Sequence, residues 1–139
     1  MADEIYTVRA MTKGVDQTPR KLSLVASLVR GRSVADASVI LDHTPKRAAL
    51  AIKKAIMSAS ANATNNHGLD SKSLAISTLS VTAGPRLRRY KPASRGRALP
   101  FAKKSSHILV EVTGTLKQVK KPAAKKAEAA EKPAKKEEK

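Results

Sequence analysis

Residues 84–107, GPRLRRYKPASRGRALPFAKKSSH, carry eight cations and no acid: Arg86, Arg88, Arg89, Lys91, Arg95, Arg97, Lys103 and Lys104. Three prolines (Pro85, Pro92, Pro100) and two of the three aromatics in the chain (Tyr90, Phe101) lie in the same stretch. This composition forbids a core role. Eight like charges repel one another, and Leu87, Leu99 and Phe101 cannot offset the entropy of ordering them. So long a connection is unusual in a compact domain and tends to be functional. An isolated two-stranded hairpin is marginal in water, so the expectation is a hairpin ordered only by something anionic. Extended arms of about ten residues would reach roughly 30–35 Å. The natural tip is Pro92-Ala93-Ser94-Arg95-Gly96, where Gly96 permits a tight turn.

The chemistry of the stretch narrows the anion. Arg outnumbers Lys by five to three; guanidinium groups fork onto phosphates and stack on bases, whereas ammonium groups act as point charges. Tyr90 and Phe101 can stack on unpaired bases. Insertion into folded RNA is the reading favoured over a flexible basic loop that binds any polyanion. The whole chain agrees, with a net charge of +17 on 139 residues, which opposes self-association and favours a polyanionic partner. No membrane partner and no stable homo-oligomer are expected.

Elsewhere the pattern is that of a folded domain. Ile5 to Met11 alternate as a half-buried strand. Thr18-Pro19 reads as a helix start, Thr18 accepting from the first free N–H groups. Leu22, Val25, Ala26 and Val29 follow at helical spacing, with Leu24 and Leu28 one step round. Gly31 stops this helix, 19–30, after Arg30, whose charge would suit the helix dipole. Ser33 and Asp36 resemble a capping box that opens a short helix, 34–42. Thr44-Pro45 repeats the start signal, and Lys46 to Thr64 run without Gly or Pro on an Ala-rich face toward Asn65-Asn66-His67-Gly68. From Leu74 the period becomes two, with a slip near Thr78-Leu79 that suggests a bulge. A matching strand, 107–113, places Ile108, Val110 and Val112 on one face. Strand, three helices and two hairpin-partner strands make an α+β fold. The domain reading is 1–116 as one unit that includes the hairpin 84–107, with 117–139 a solvated Lys/Ala/Pro/Glu tail.

Other chemistries find no support in the residues. The chain has no Cys, which removes disulfides, Cys-ligated zinc and a thiol nucleophile. His43, His67 and His107 are far apart, the acids are scattered, and the glycines form no phosphate-binding loop. No enzyme activity, cofactor or metal site is expected. No apolar run approaches the length of a spanning helix. The start, MADEIY, lacks the basic end and apolar run of a secretory signal, so a cytoplasmic protein is expected. Lys13, Arg20, Lys21, Arg30 and Arg32 around the first helix are candidates to extend the phosphate-binding surface. Lys46, Arg47, Lys53 and Lys54 read as solubilising.

TPRKLSLVASLVRGR at 18–32, KRAALAIKKAIMSASANATNNHG at 46–68, GP at 84–85, SRGRA at 94–98 and SSHILVEV at 105–112 are similar, in order and spacing, to bacterial large-subunit ribosomal protein twenty-two. The resemblance implies three helices on a three-stranded antiparallel sheet and a non-catalytic role in stabilising large-subunit rRNA. It also implies a long hairpin whose tip lines the nascent-peptide exit tunnel near its constriction. The partners implied are rRNA, neighbouring large-subunit proteins and the nascent peptide. Carried over by position, Leu87, Arg88, Arg89, Lys91, Pro92, Ala93, Ser94, Arg95 and Gly96 would form the tunnel-lining part, with Leu87-Arg88-Arg89 matching the segment linked to macrolide sensitivity. Lys21, Arg30 and Arg32 match the basic first helix. Ser23 departs from the family, which often has a basic residue there, and Pro100-Phe101 is not a family requirement. An alternative reading makes the chain a DNA-compacting protein, with helices 19–30 and 34–42 as a helix-turn-helix and the tail as a basic arm.

Overall fold

The computed structural model describes residues 6–116. Ile5 of the first expected strand and the tail 117–139 lie outside them. The elements run β1 (Tyr6–Val15), α1 (Pro19–Val29), α2 (Val34–His43), α3 (Arg47–His67), β2 (Ala75–Pro92), a short 3₁₀ turn (Ser94–Gly96) and β3 (Ala98–Gly114). The fold is α+β, three helices against a three-stranded antiparallel sheet of order β1-β3-β2.

Each helix end has a local cause, and three differ from expectation. Thr18 makes no side-chain cap; the first turn of α1 closes instead on its backbone carbonyl, which accepts from Lys21 and Leu22. Thr44 opens nothing: its hydroxyl donates to the Ile40 carbonyl at 2.7 Å and so finishes α2, while Lys46 stands at the N-cap of α3. Arg30 lies just past the last turn of α1 and sends its Nε to the Leu79 carbonyl of β2 at 2.9 Å. Of the last-turn carbonyls of α1 that a cation would suit, that of Leu28 is taken by Arg32, whose Nε reaches it at 3.0 Å. Ser33 and Asp36 do cap α2, with Asp36 N–H donating to Ser33 Oγ at 3.1 Å. The Ser33 hydroxyl also donates to the Asp36 carboxylate. α3 runs three residues beyond Thr64 to His67 and stops at Gly68, whose φ of 62° is left-handed. A side chain would strain there.

The core lies between one face of the sheet and the helices. Val8 and Ala10 of β1, Ile76 and Leu79 of β2, and Ile108, Val110 and Val112 of β3 are all buried. They face Leu22, Val25, Ala26 and Val29 of α1 and the inner face of α3. Five of the seven buried residues of α3 are Ala, the others being Ile52 and Ile56, so the helix backbone approaches the sheet closely. The bulge in β2 lies between Ile76 and Thr78, one step before the expected slip. It shifts the buried phase from Ile76 to Leu79, and the Ser77 hydroxyl donates to the Glu111 carbonyl.

Candidate nucleic-acid interface

Beyond Val81 and Ser106 the core ends, but the ladder continues. β2 and β3 stay paired from Arg86↔Lys104 to Pro92↔Ala98 in unbroken register. The ten residues Ala83–Pro92 project about 30 Å at the usual rise of an extended strand. The hairpin is not isolated; its register is inherited from a sheet whose phase is set in the core. The chain turns through Ala93–Arg97, where Ala93 N–H donates to the Arg97 carbonyl at 2.8 Å. Arg95 and Gly96 are both left-handed, at φ 57° and 70°. For Arg95 this costs roughly 1–2 kcal/mol.

Strand alternation distributes the charge. One face of the ribbon carries Arg86, Arg88 and Lys104 with Tyr90; the other carries Arg89, Lys91 and Lys103 with Phe101. Each face thus presents three cations and one aromatic, and Arg95 and Arg97 add charge at the turn. Lys91 Nζ sits 5.3 Å from the centre of the Phe101 ring, which holds both on one side. Tyr90 is 74% exposed. Leu87, Arg88 and Arg89 lie on the outgoing arm opposite Lys103, Ala102 and Phe101, whereas Pro92 to Gly96 form the end of the hairpin.

The base of the hairpin is held by hydroxyls. Ser106 is fully buried and donates to the Gln17 carbonyl at 2.6 Å. Ser105 donates to the Pro85 carbonyl at 2.7 Å. Gly84 leaves room for that contact: a Cβ there would lie 2.6 Å from Ser105 Oγ and 3.1 Å from its backbone carbon. Both flanking strands break register at this level, between Thr12 and Val15 and between Ala83 and Arg86. On β1, Gly14 N–H donates to His107 Nδ1 at 3.0 Å.

Of the basic residues around α1, Arg20 and Lys21 join the hairpin base. Arg20 shares a concavity of about 450 Å³ with Arg86 and Lys104. Lys21 lines a larger cleft of about 760 Å³ between α1, the start of α3 and β3, together with Lys46, Arg47, Lys103 and Lys104. Lys13 is exposed near the end of β1. Arg30 and Arg32 sit at the other end of α1, their Nε atoms committed to backbone carbonyls. Lys46 and Arg47, read as solubilising, therefore belong beside the hairpin base, while Lys53 pairs with Asp42. The available signal was Leu24 and Leu28, apolar positions beyond what the inner face of α1 could bury. Among the described residues Lys103 is the one hairpin cation that meets a carboxylate, Asp16, at 3.0 Å.

The helix-turn-helix alternative fails on α2. Its sequence, VADASVILDH, contains two Asp and no Lys or Arg, the wrong charge for a helix laid in a DNA groove. Among the described residues no cluster of three or more His, Asp or Glu could hold a metal.

Comparison with known proteins agrees with this geometry. The family described as ribosomal protein L22p/L17e matches residues 10–113, from within β1 to the penultimate residue of β3. The chain belongs to this family. Among its curated members, the large ribosomal subunit protein uL22 of Pediococcus pentosaceus is 43% identical over 113 residues. The match spans 81% of this chain and 96% of that relative. The L22p/L17e match takes in the whole hairpin as well as the helices, so the projecting ribbon is part of the family's domain.

Proposed function

We propose that this L22p/L17e protein is a structural, non-catalytic component of the cytoplasmic large ribosomal subunit that binds rRNA and lines the nascent-peptide exit tunnel with the end of its hairpin. One observation carries the reading: the ribbon is cationic on both faces and at its turn. A protein resting on a nucleic-acid surface needs charge on one side. Charge on both sides suits a ribbon surrounded by phosphates, and an aromatic on each face suits unpaired bases on either side. Arg20, Lys21, Lys13 and the hairpin base would continue the contact, with Arg30 and Arg32 contributing the donors their backbone bonds leave free. Neighbouring large-subunit proteins and the nascent peptide are the further partners.

Two measurements test this. Tagged protein should co-sediment with the large subunit, and recovery with chromosomal DNA alone would refute the proposal. Affinity for rRNA should fall steeply with salt. Six phosphate contacts give a log–log slope of roughly −4 to −5, and a flat response would contradict the electrostatic account.

A further inference from the structure

We propose that the cleft between α1, the start of α3 and the base of β3 receives one unpaired nucleotide extruded from the bound RNA. Its base would lie against Leu24 and Leu28, with its flanking phosphates on Lys46, Arg47 and Lys104. The proposal rests on the RNA-binding reading above and adds a contact separate from the projecting ribbon.

Three properties of the cleft point to this occupant. Its volume of about 760 Å³ falls within the roughly 300–1,000 Å³ typical of small-molecule sites. Its apolar part is exposed: Leu24 is 74% and Leu28 48% accessible, and one helical turn apart they form a single patch. Its rim is strongly cationic, since five Lys and Arg line it against one acid, Asp16, which is already paired with Lys103. A paired duplex offers such a site only phosphates and leaves the leucines in contact with water or sugar edges. An extruded nucleotide has an apolar ring face between two anionic groups, the combination the cleft presents. Gln17 also lines the cleft, and its amide group is of the type that can both donate to and accept from a base edge.

The test uses the full chain and three RNA stems of identical sequence: one with a single unpaired adenine, one with that position abasic, and one fully paired. At about 150 mM salt the stem with the unpaired adenine should bind about tenfold more tightly than the paired stem, the scale expected for burying one base face against two leucines. The abasic stem should fall to the paired level. Leu24→Ser with Leu28→Ser, both at exposed positions, should erase the preference without weakening the paired stem, and thermal melting checks that the variant is folded. Lys46→Gln with Arg47→Gln should weaken the bulged stem severalfold. Equal binding of all three stems by the parent protein would overturn the cleft assignment alone, and failure to bind any stem would overturn the RNA-binding reading with it. Tighter binding of an acidic, leucine-containing peptide, abolished by the same leucine changes, would assign the cleft to a protein partner and overturn the proposal.

Discussion

The body and the hairpin of this chain share two strands but are held together differently. In the body, β2 and β3 gain from side chains: Ile76, Leu79, Ile108, Val110 and Val112 are buried against α1 and α3, each contributing about 1.5–3 kcal/mol. Along the hairpin the same strands keep their ladder, yet from Arg86 to Pro92 and from Ala98 to Lys104 every residue is exposed. There the backbone register is borrowed from the body, and the side chains stay open to solvent. On the proposed function, stability and binding are written on different stretches of the same two strands. The hydroxyl-bonded level at Gly84, Ser105 and Ser106 marks the boundary.

Removal of the hairpin is the strongest way to break this comparison. Deleting Pro85 to Lys104 and closing with a short turn should lower rRNA affinity on the order of 10²–10³-fold near physiological salt. The remaining domain should still unfold cooperatively; loss of a cooperative thermal transition would place the hairpin in the core instead. The converse change is Ile52→Ala, at a fully buried position. It should cost about 3 kcal/mol in a denaturant titration, with the salt slope of rRNA binding by the folded fraction unchanged.

The boundary itself is probed by Gly84→Ala. The new Cβ meets Ser105 Oγ at 2.6 Å and backbone at 3.1 and 3.2 Å, and Ser105 cannot yield without losing its bond to Pro85. A cost of about 1–2 kcal/mol is expected, with faster amide exchange along Arg86–Lys104 than in the parent. Unchanged exchange there would show that the boundary does not control the hairpin. The smallest effect is expected from Asp16→Asn, which releases Lys103. As both partners are about half exposed, stability should change by at most about 0.5–1 kcal/mol. Affinity for rRNA should rise slightly, with a salt slope steeper by up to about one; weaker binding would show that Asp16 orients Lys103 rather than competing for it.

Much of this was legible residue by residue. The stripe Leu22, Val25, Ala26 and Val29, the Ser33–Asp36 cap and the stop at Gly68 depend on neighbours within one or two turns. The alternation of Ile108, Val110 and Val112 is equally local. The eight cations and absent acids of 84–107 are likewise legible from composition alone. The start of α1 at Thr18-Pro19 is legible, but the Thr18 side-chain cap and a helix start at Thr44 are not met, because Pro beside Thr shows where a chain turns, not which acceptor the hydroxyl will find. The place of Lys46 and Arg47 beside the hairpin base is not legible, because nothing in their own segment shows where the start of α3 lies.

The amino-acid sequence by itself determined the helices, the alternating strands and the concentration of positive charge in 84–107, since each follows from short-range sterics, periodicity and composition. Only the tertiary structure decided that β3 lies between β1 and β2, that Arg30 crosses to Leu79, and that the hairpin carries three cations on each face. Those are consequences of pairing between residues far apart in the chain. A one-residue change in that register would leave every local signal intact and move every side chain to the opposite face.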